Sequence, residues 1–148
     1  MERFLLAAVV VVLAAAVAVW FERRRPEAPT QGAWPVPTQL DRADFGGVGT
    51  PWLVAVFTSA TCNSCAEAMD KARVLASDEV WVEEVEVKAQ ADLHRRYNVE
   101  AVPTLVVADA EGVVRASFVG PPSATDLWAA VAEARAPGSS PEPELGRG

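Results

Sequence analysis

Two cysteines, the only two in the chain, stand three residues apart in Thr61-Cys62-Asn63-Ser64-Cys65. They follow closely on the apolar run Trp52-Leu53-Val54-Ala55-Val56-Phe57. A Cys-x-x-Cys pair at a strand-to-helix junction is what thiol–disulfide chemistry needs. A helix beginning near Thr61 would put Cys62 in its first turn, where free N–H groups and the positive dipole end favour a thiolate. Cys65, one turn along on the same face, would then close the disulfide. Cys62 is the expected attacking sulfur and Cys65 the resolving one, a chemistry that needs no dissociable cofactor.

Two other uses of the pair compete with this reading. A closed zinc site takes about four ligands, and the chain has a single histidine, His94. A purely structural disulfide over so short a span closes almost no loop and constrains the unfolded chain little. Redox chemistry is the favoured reading, with no metal site expected.

The chain has 148 residues, enough for one domain with appendages. Residues 4–21 form 18 consecutive positions without a charge, which as a helix would run about 27 Å, close to the hydrocarbon thickness of a bilayer. Trp20 and Phe21 fall where an interfacial aromatic belt would lie. Residues 1–25 are therefore expected to be a single-pass anchor in the lipid bilayer. A cleaved signal peptide is the alternative, since Ala16-Val17-Ala18 resembles a cleavage site. Arg23, Arg24 and Arg25 outnumber Arg3, which puts the following domain on the cytoplasmic face under the positive-inside rule, with the extracytoplasmic side as the alternative.

From Pro26 onward nine Lys and Arg face eighteen Asp and Glu, a formal −9. So acidic a domain is not expected to bind nucleic acid through phosphate contacts, and an anionic membrane surface would repel it. The anchor has to hold it there.

Residues 26–38 carry four prolines and read as a semi-stiff spacer in which Trp34 is placed to dock on the domain. The domain itself spans 39–136. Residues 40–45 form a short strand or turn, and Gly46-Gly47-Val48-Gly49 a flexible loop. Residues 52–57 read as a buried central strand. A helix follows Cys62 through Leu75, then a strand over 80–87 and a short helix within 89–97 that shows His94 to solvent. Val102-Pro103-Thr104 leads into a strand over 105–107, Asp109-Ala110-Glu111-Gly112 turns the chain, and 113–119 returns. Ser123 opens a last helix with Asp126 three residues on. Its apolar stripe is Leu127, Trp128, Val131 and Ala134, with Trp128 packed in the core. Residues 137–148 have the composition of a disordered tail. The order predicts a three-layer α/β domain around a central mixed sheet.

This order and these motifs resemble the thioredoxin family over roughly residues 52–134. The matching features are Cys62-x-x-Cys65 after an apolar strand, Tyr97-Asn98-Val99 ahead of Val102-Pro103-Thr104, and Gly120 after the last strand. The resemblance implies a thioredoxin-like fold, a cis Pro103 beside the cysteine pair, and a Val102 backbone that pairs with a bound peptide. It also implies that the substrate is a protein disulfide or dithiol. Several residues depart from the family pattern. Thr61 stands where the family carries Trp, at the substrate-facing mouth, and Asn63-Ser64 replace Gly-Pro. Val56 occupies the place of the family's buried acid and Glu84 that of a nearby lysine, so Cys65 needs water or another base, for which Glu84 is the candidate. Ser59 or Thr61 is placed to cap the helix and hydrogen-bond the sulfur.

The dipeptide between the cysteines tunes redox poise, so these changes suit a dedicated partner better than general reduction. They also leave open a rival from another class, a binding or adaptor module on the same fold with idle cysteines. Metal-ion delivery through two thiolates is a third reading.

Overall fold

The computed structural model describes residues 34–138. The anchor expected over 1–25, its orientation, most of the spacer and nearly all of the tail lie outside the described residues. Among the described residues no helix is long and apolar enough to cross a membrane.

Among the described residues, four strands and three α-helices follow one another as β1 (Trp52–Thr58), α1 (Cys65–Arg73), β2 (Val80–Glu86), α2 (Ala91–Arg96), β3 (Thr104–Ala108), β4 (Val114–Val119) and α3 (Ala124–Arg135). The sheet order is β2-β1-β3-β4, with β1 and β2 parallel and the other two pairs antiparallel. A parallel pair needs a crossover, which α1 supplies between β1 and β2. The β3–β4 pair needs only a tight turn, and Asp109 to Gly112 closes it.

The continuous apolar run of β1 follows from its central place, because both of its faces are covered. Alternate side chains go to opposite cores. Leu53, Ala55 and Phe57 pack with Leu40, Phe45, Val85, Tyr97 and Val106 on one side. Val54 and Val56 pack with Ala68, Met69 and Ala72 of α1, and with Leu127 and Val131 of α3, on the other. The result is the expected three-layer mixed-sheet architecture.

Residues 40–45 take the turn option, a 3-10 turn at Arg42–Asp44 capped by Asp41, whose side chain accepts from the Ala43 N–H. Arg42 pins it in place by donating to the carbonyls of Asp109 at 3.0 Å and Gly47 at 3.1 Å. The glycine loop behind it is covered by an indole. At Gly47, where φ is +64°, a Cβ would stand 2.3 Å from the Trp81 ring, so no side chain fits there.

Three expectations are corrected. The helix after the cysteines begins at Cys65, four residues later than placed, because residues 59–64 are used up in turns. It ends at Arg73, short of Leu75. His94 is not on a solvated face but 5% exposed. Its Nε2 sits 2.8 Å from the Val85 carbonyl and its ring meets Phe57 edge-on at 5.1 Å. Trp128 is not in the core: it is 43% exposed, lying over α1 with its indole N–H donating to the Lys71 carbonyl. Core packing goes instead to Leu127 and Val131. Trp34 keeps 53% of its surface exposed.

Candidate active site

Strand β1 delivers the chain to the end of the sheet at Thr58, and the next six residues form a bonded loop before α1. The Cys62 N–H donates to the Ser59 carbonyl at 3.0 Å, and the Cys65 N–H to the Cys62 carbonyl at 3.3 Å. Cys62 and Cys65 are joined in a disulfide with their Cα atoms 5.4 Å apart. Cys62 is partly exposed, whereas Cys65, the first residue of α1, is 4% exposed and faces the core. One sulfur can therefore be reached by a partner while the other is shielded. That asymmetry is the one that an attacking and a resolving thiol would need in thiol–disulfide exchange.

The dipole argument changes with the helix start. Cys62 lies ahead of α1, not in its first turn, and the residue at the positive end is Cys65. Ser59 and Thr61, expected to reach the sulfur, bond each other at 3.1 Å. The hydroxyl beside the Cys62 sulfur belongs to Ser64, at 3.7 Å. Ser64 is the N-cap of α1, yet its side chain makes no capping bond and is turned to the sulfur. Its position between the cysteines marked it as unusual, but its role depended on where the helix starts.

The Val102–Pro103 peptide bond is cis, as the resemblance implied. In the antiparallel register of β1 and β3, Phe57 stands opposite Thr104. The loop that leaves β1 and the Val102-Pro103 segment that enters β3 therefore meet the sheet at the same end. The Pro103 carbonyl accepts the Gly120 N–H at 2.8 Å, and the Thr104 hydroxyl donates to the Ala101 carbonyl at 2.8 Å. Thr61 is exposed in the cysteine loop, and Val102 is partly covered by the core on the Phe57 side.

Glu84, the candidate base, receives the Thr58 hydroxyl at 2.8 Å and faces Arg73 at 3.8 Å. Val56 is fully buried against the core next to α1. Glu86, at the end of β2 and not singled out by any sequence motif, reaches the cysteine loop. Its carboxylate accepts the N–H groups of Ala60, Lys88 and Ala89. The Ala89 bond does most to hold this carboxyl below its ordinary range. Desolvation opposes it, and the Ala60 and Lys88 bonds and the Lys88 charge add to it. Among the described residues no cluster of three or more His, Cys, Asp or Glu is gathered as a metal site.

A family model, described as the thioredoxin-like domain, matches residues 38–135. The chain belongs to the thioredoxin-like family. Solved structures agree on the fold. The germline-specific thioredoxin Deadhead of Drosophila melanogaster is 26% identical, with a TM-score of 0.52 over 58% of this chain and 83% of its own. The thioredoxin of Fasciola hepatica is 26% identical, with a TM-score of 0.50 over 56% of this chain and 80% of its own. A point variant of thioredoxin from Halobacterium salinarum is 24% identical, with a TM-score of 0.51 over 64% and 84% of the two chains. No curated protein matches significantly. A thioredoxin-like domain with a disulfide-forming Cys62–Cys65 pair points in general to a thiol–disulfide oxidoreductase acting on protein dithiols or disulfides.

Proposed function

We propose that this chain is a membrane-tethered thiol–disulfide oxidoreductase with a dedicated protein partner. The observation that carries the redox part is the disulfide between an accessible Cys62 and a shielded Cys65, at the sheet end that also receives the cis Val102–Pro103 segment. In the reducing direction the Cys62 thiolate attacks one sulfur of the partner's disulfide. That bond breaks, a Cys62–partner mixed disulfide forms, and the first partner sulfur leaves as a thiolate. The Cys65 thiolate then attacks the Cys62 sulfur, forming the intramolecular disulfide and releasing the second partner thiolate. Two electrons have moved to the partner, and the oxidising direction is the same sequence reversed. The Val102 backbone and Thr61 shape the surface on which the partner's chain lies, and Ser64 hydrogen-bonds the Cys62 sulfur.

The tether rests on the uncharged stretch 4–21, and the cytoplasmic orientation on Arg23, Arg24 and Arg25. Thiol trapping in glutathione buffers tests the redox part. The pair should interconvert between dithiol and disulfide, and Cys62→Ser should abolish exchange; a Cys62→Ser chain with full activity would end this reading. A potential near about −270 mV would make the protein a reductase and suit the cytoplasmic face, whereas one near about −120 mV would make it an oxidant on the outer face. The tether is tested by alkaline extraction of membranes, which should leave the chain in the pellet.

A further inference from the structure

We propose that Glu86 is a positioning residue for the Cys62–Cys65 exchange, clamping the loop that presents Cys62 at the end of β1; this rests on the oxidoreductase reading above. Glu86 is the last residue of β2 and stands opposite Thr58 in the parallel register, so its carboxylate lies beside the point where the chain leaves β1. One oxygen accepts the Ala60 N–H at 3.2 Å. The other accepts the N–H groups of Lys88 at 2.8 Å and Ala89 at 2.9 Å. A single side chain thus joins the cysteine loop to the turn that follows β2.

The two sulfurs are held by different means. Cys65 is fixed by α1, whose Ala68, Met69 and Ala72 are buried in the core. Cys62 has only its loop. In the described residues the other hydrogen bonds of 59–64 close on the loop itself or on α1. The Ala60 bond to Glu86 is the one that ties the loop to another strand. Ala60 lies one residue past Ser59, whose carbonyl receives the Cys62 N–H at 3.0 Å, so holding Ala60 holds the turn that aims Cys62 at Cys65. The depressed carboxyl of Glu86 agrees with an acceptor that stays ionised at neutral pH. A carboxylate accepting several N–H groups makes charge-assisted bonds, roughly twice as strong as neutral ones.

An intramolecular disulfide is favoured over a glutathione disulfide by how well the chain keeps its two sulfurs within bonding reach. Loosening the Cys62 side alone lowers that effective concentration. The test equilibrates the full-length chain with reduced and oxidised glutathione and traps free thiols. In this exchange the protein disulfide breaks and glutathione disulfide forms. Two electrons pass to the protein, and the protons of two glutathione thiols end on Cys62 and Cys65.

For Glu86→Gln the equilibrium constant for forming the protein disulfide is expected to fall about tenfold, a shift of about 30 mV to more positive potential. By the same cycle, urea unfolding should show the oxidised form losing more stability than the reduced one. A constant within twofold of wild type, or equal losses in both forms, would make Glu86 a structural residue only and overturn the proposal. Should Glu86→Gln fail to fold, Glu86→Asp, which keeps the charge but shortens the arm, goes through the same assay against the same criteria. A wild-type chain that exchanges with glutathione at no ratio would remove the oxidoreductase reading and this proposal together. A wild type that exchanges while the variant matches it removes the Glu86 proposal alone.

Discussion

His94 has two neighbours that decide its role: the Val85 carbonyl, to which Nε2 must donate because a carbonyl only accepts, and the ring of Phe57. Replacing it with alanine removes both contacts and leaves a hole in the core, so His94→Ala should lower stability by about 2–4 kcal/mol. Urea titration checks this, and disulfide exchange by the folded fraction should be unchanged. Tyr97 offers a second measurement at this scale. Its hydroxyl donates to Asp44 and receives the Asp41 N–H, and burial together with the Asp44 bond pushes its pKa up to about 12. A group whose pKa is raised on folding contributes stability that is complete below its unfolded value, about 10, and is lost as pH rises through the folded value. Stability should therefore decline between pH 10 and 12, and Tyr97→Phe should flatten that part of the profile while lowering stability at pH 7.

At the scale of elements, the β3–β4 turn carries a steric requirement. Gly112 has φ +80°, and a Cβ there would stand 1.9 Å from the Leu40 carbonyl oxygen. That carbonyl belongs to the residue whose N–H donates to the Gly112 carbonyl at 2.8 Å, so the turn and the N-terminal segment are packed backbone to backbone. Gly112→Ala combines strained backbone with a clash against a group that has no free end to move, and should cost at least about 2 kcal/mol by urea titration. Asp109 closes the same turn from within. Burial works against its ionisation, but Arg115 and the N–H groups of Val113 and Glu111 outweigh it and hold its carboxyl below the ordinary range. Its contribution is present above the unfolded carboxyl pKa, about 3.9, and is lost as pH falls through the lower folded value. Asp109→Asn should remove part of the acid slope of the stability curve.

Across the whole molecule, two cores on opposite faces of one sheet hold the domain, and the disulfide spans three residues at its end. So short a ring restricts the unfolded chain little. Reduction should leave the domain folded and cost no more than about 2 kcal/mol, measured by urea titration with and without reductant. A fold that does not depend on its disulfide can cycle it. The acidic charge of the domain also belongs to this scale, because it bears on which partners and surfaces the domain meets and not on how it folds.

Much of this was legible in one dimension. The continuous burial of β1, the β3–β4 turn, the Ser123 cap and the Cys62–Cys65 pair each rest on residues close together in sequence, where spacing and residue type carry the physics. The Val102–Pro103 segment was legible because the resemblance placed it, and the antiparallel register of β1 and β3 then brings it to the cysteine end of the sheet. What only the tertiary structure decided involves neighbours distant along the chain. His94 is buried because Phe57 and Val85 lie over it, and Trp128 is half out because Leu127 and Val131 take the core places of its helix. Glu86 reaches Ala60 because β1 and β2 lie side by side. Periodicity tells which residues share a face of one element. Which of those faces another element covers, and which polar groups then meet, is settled by packing.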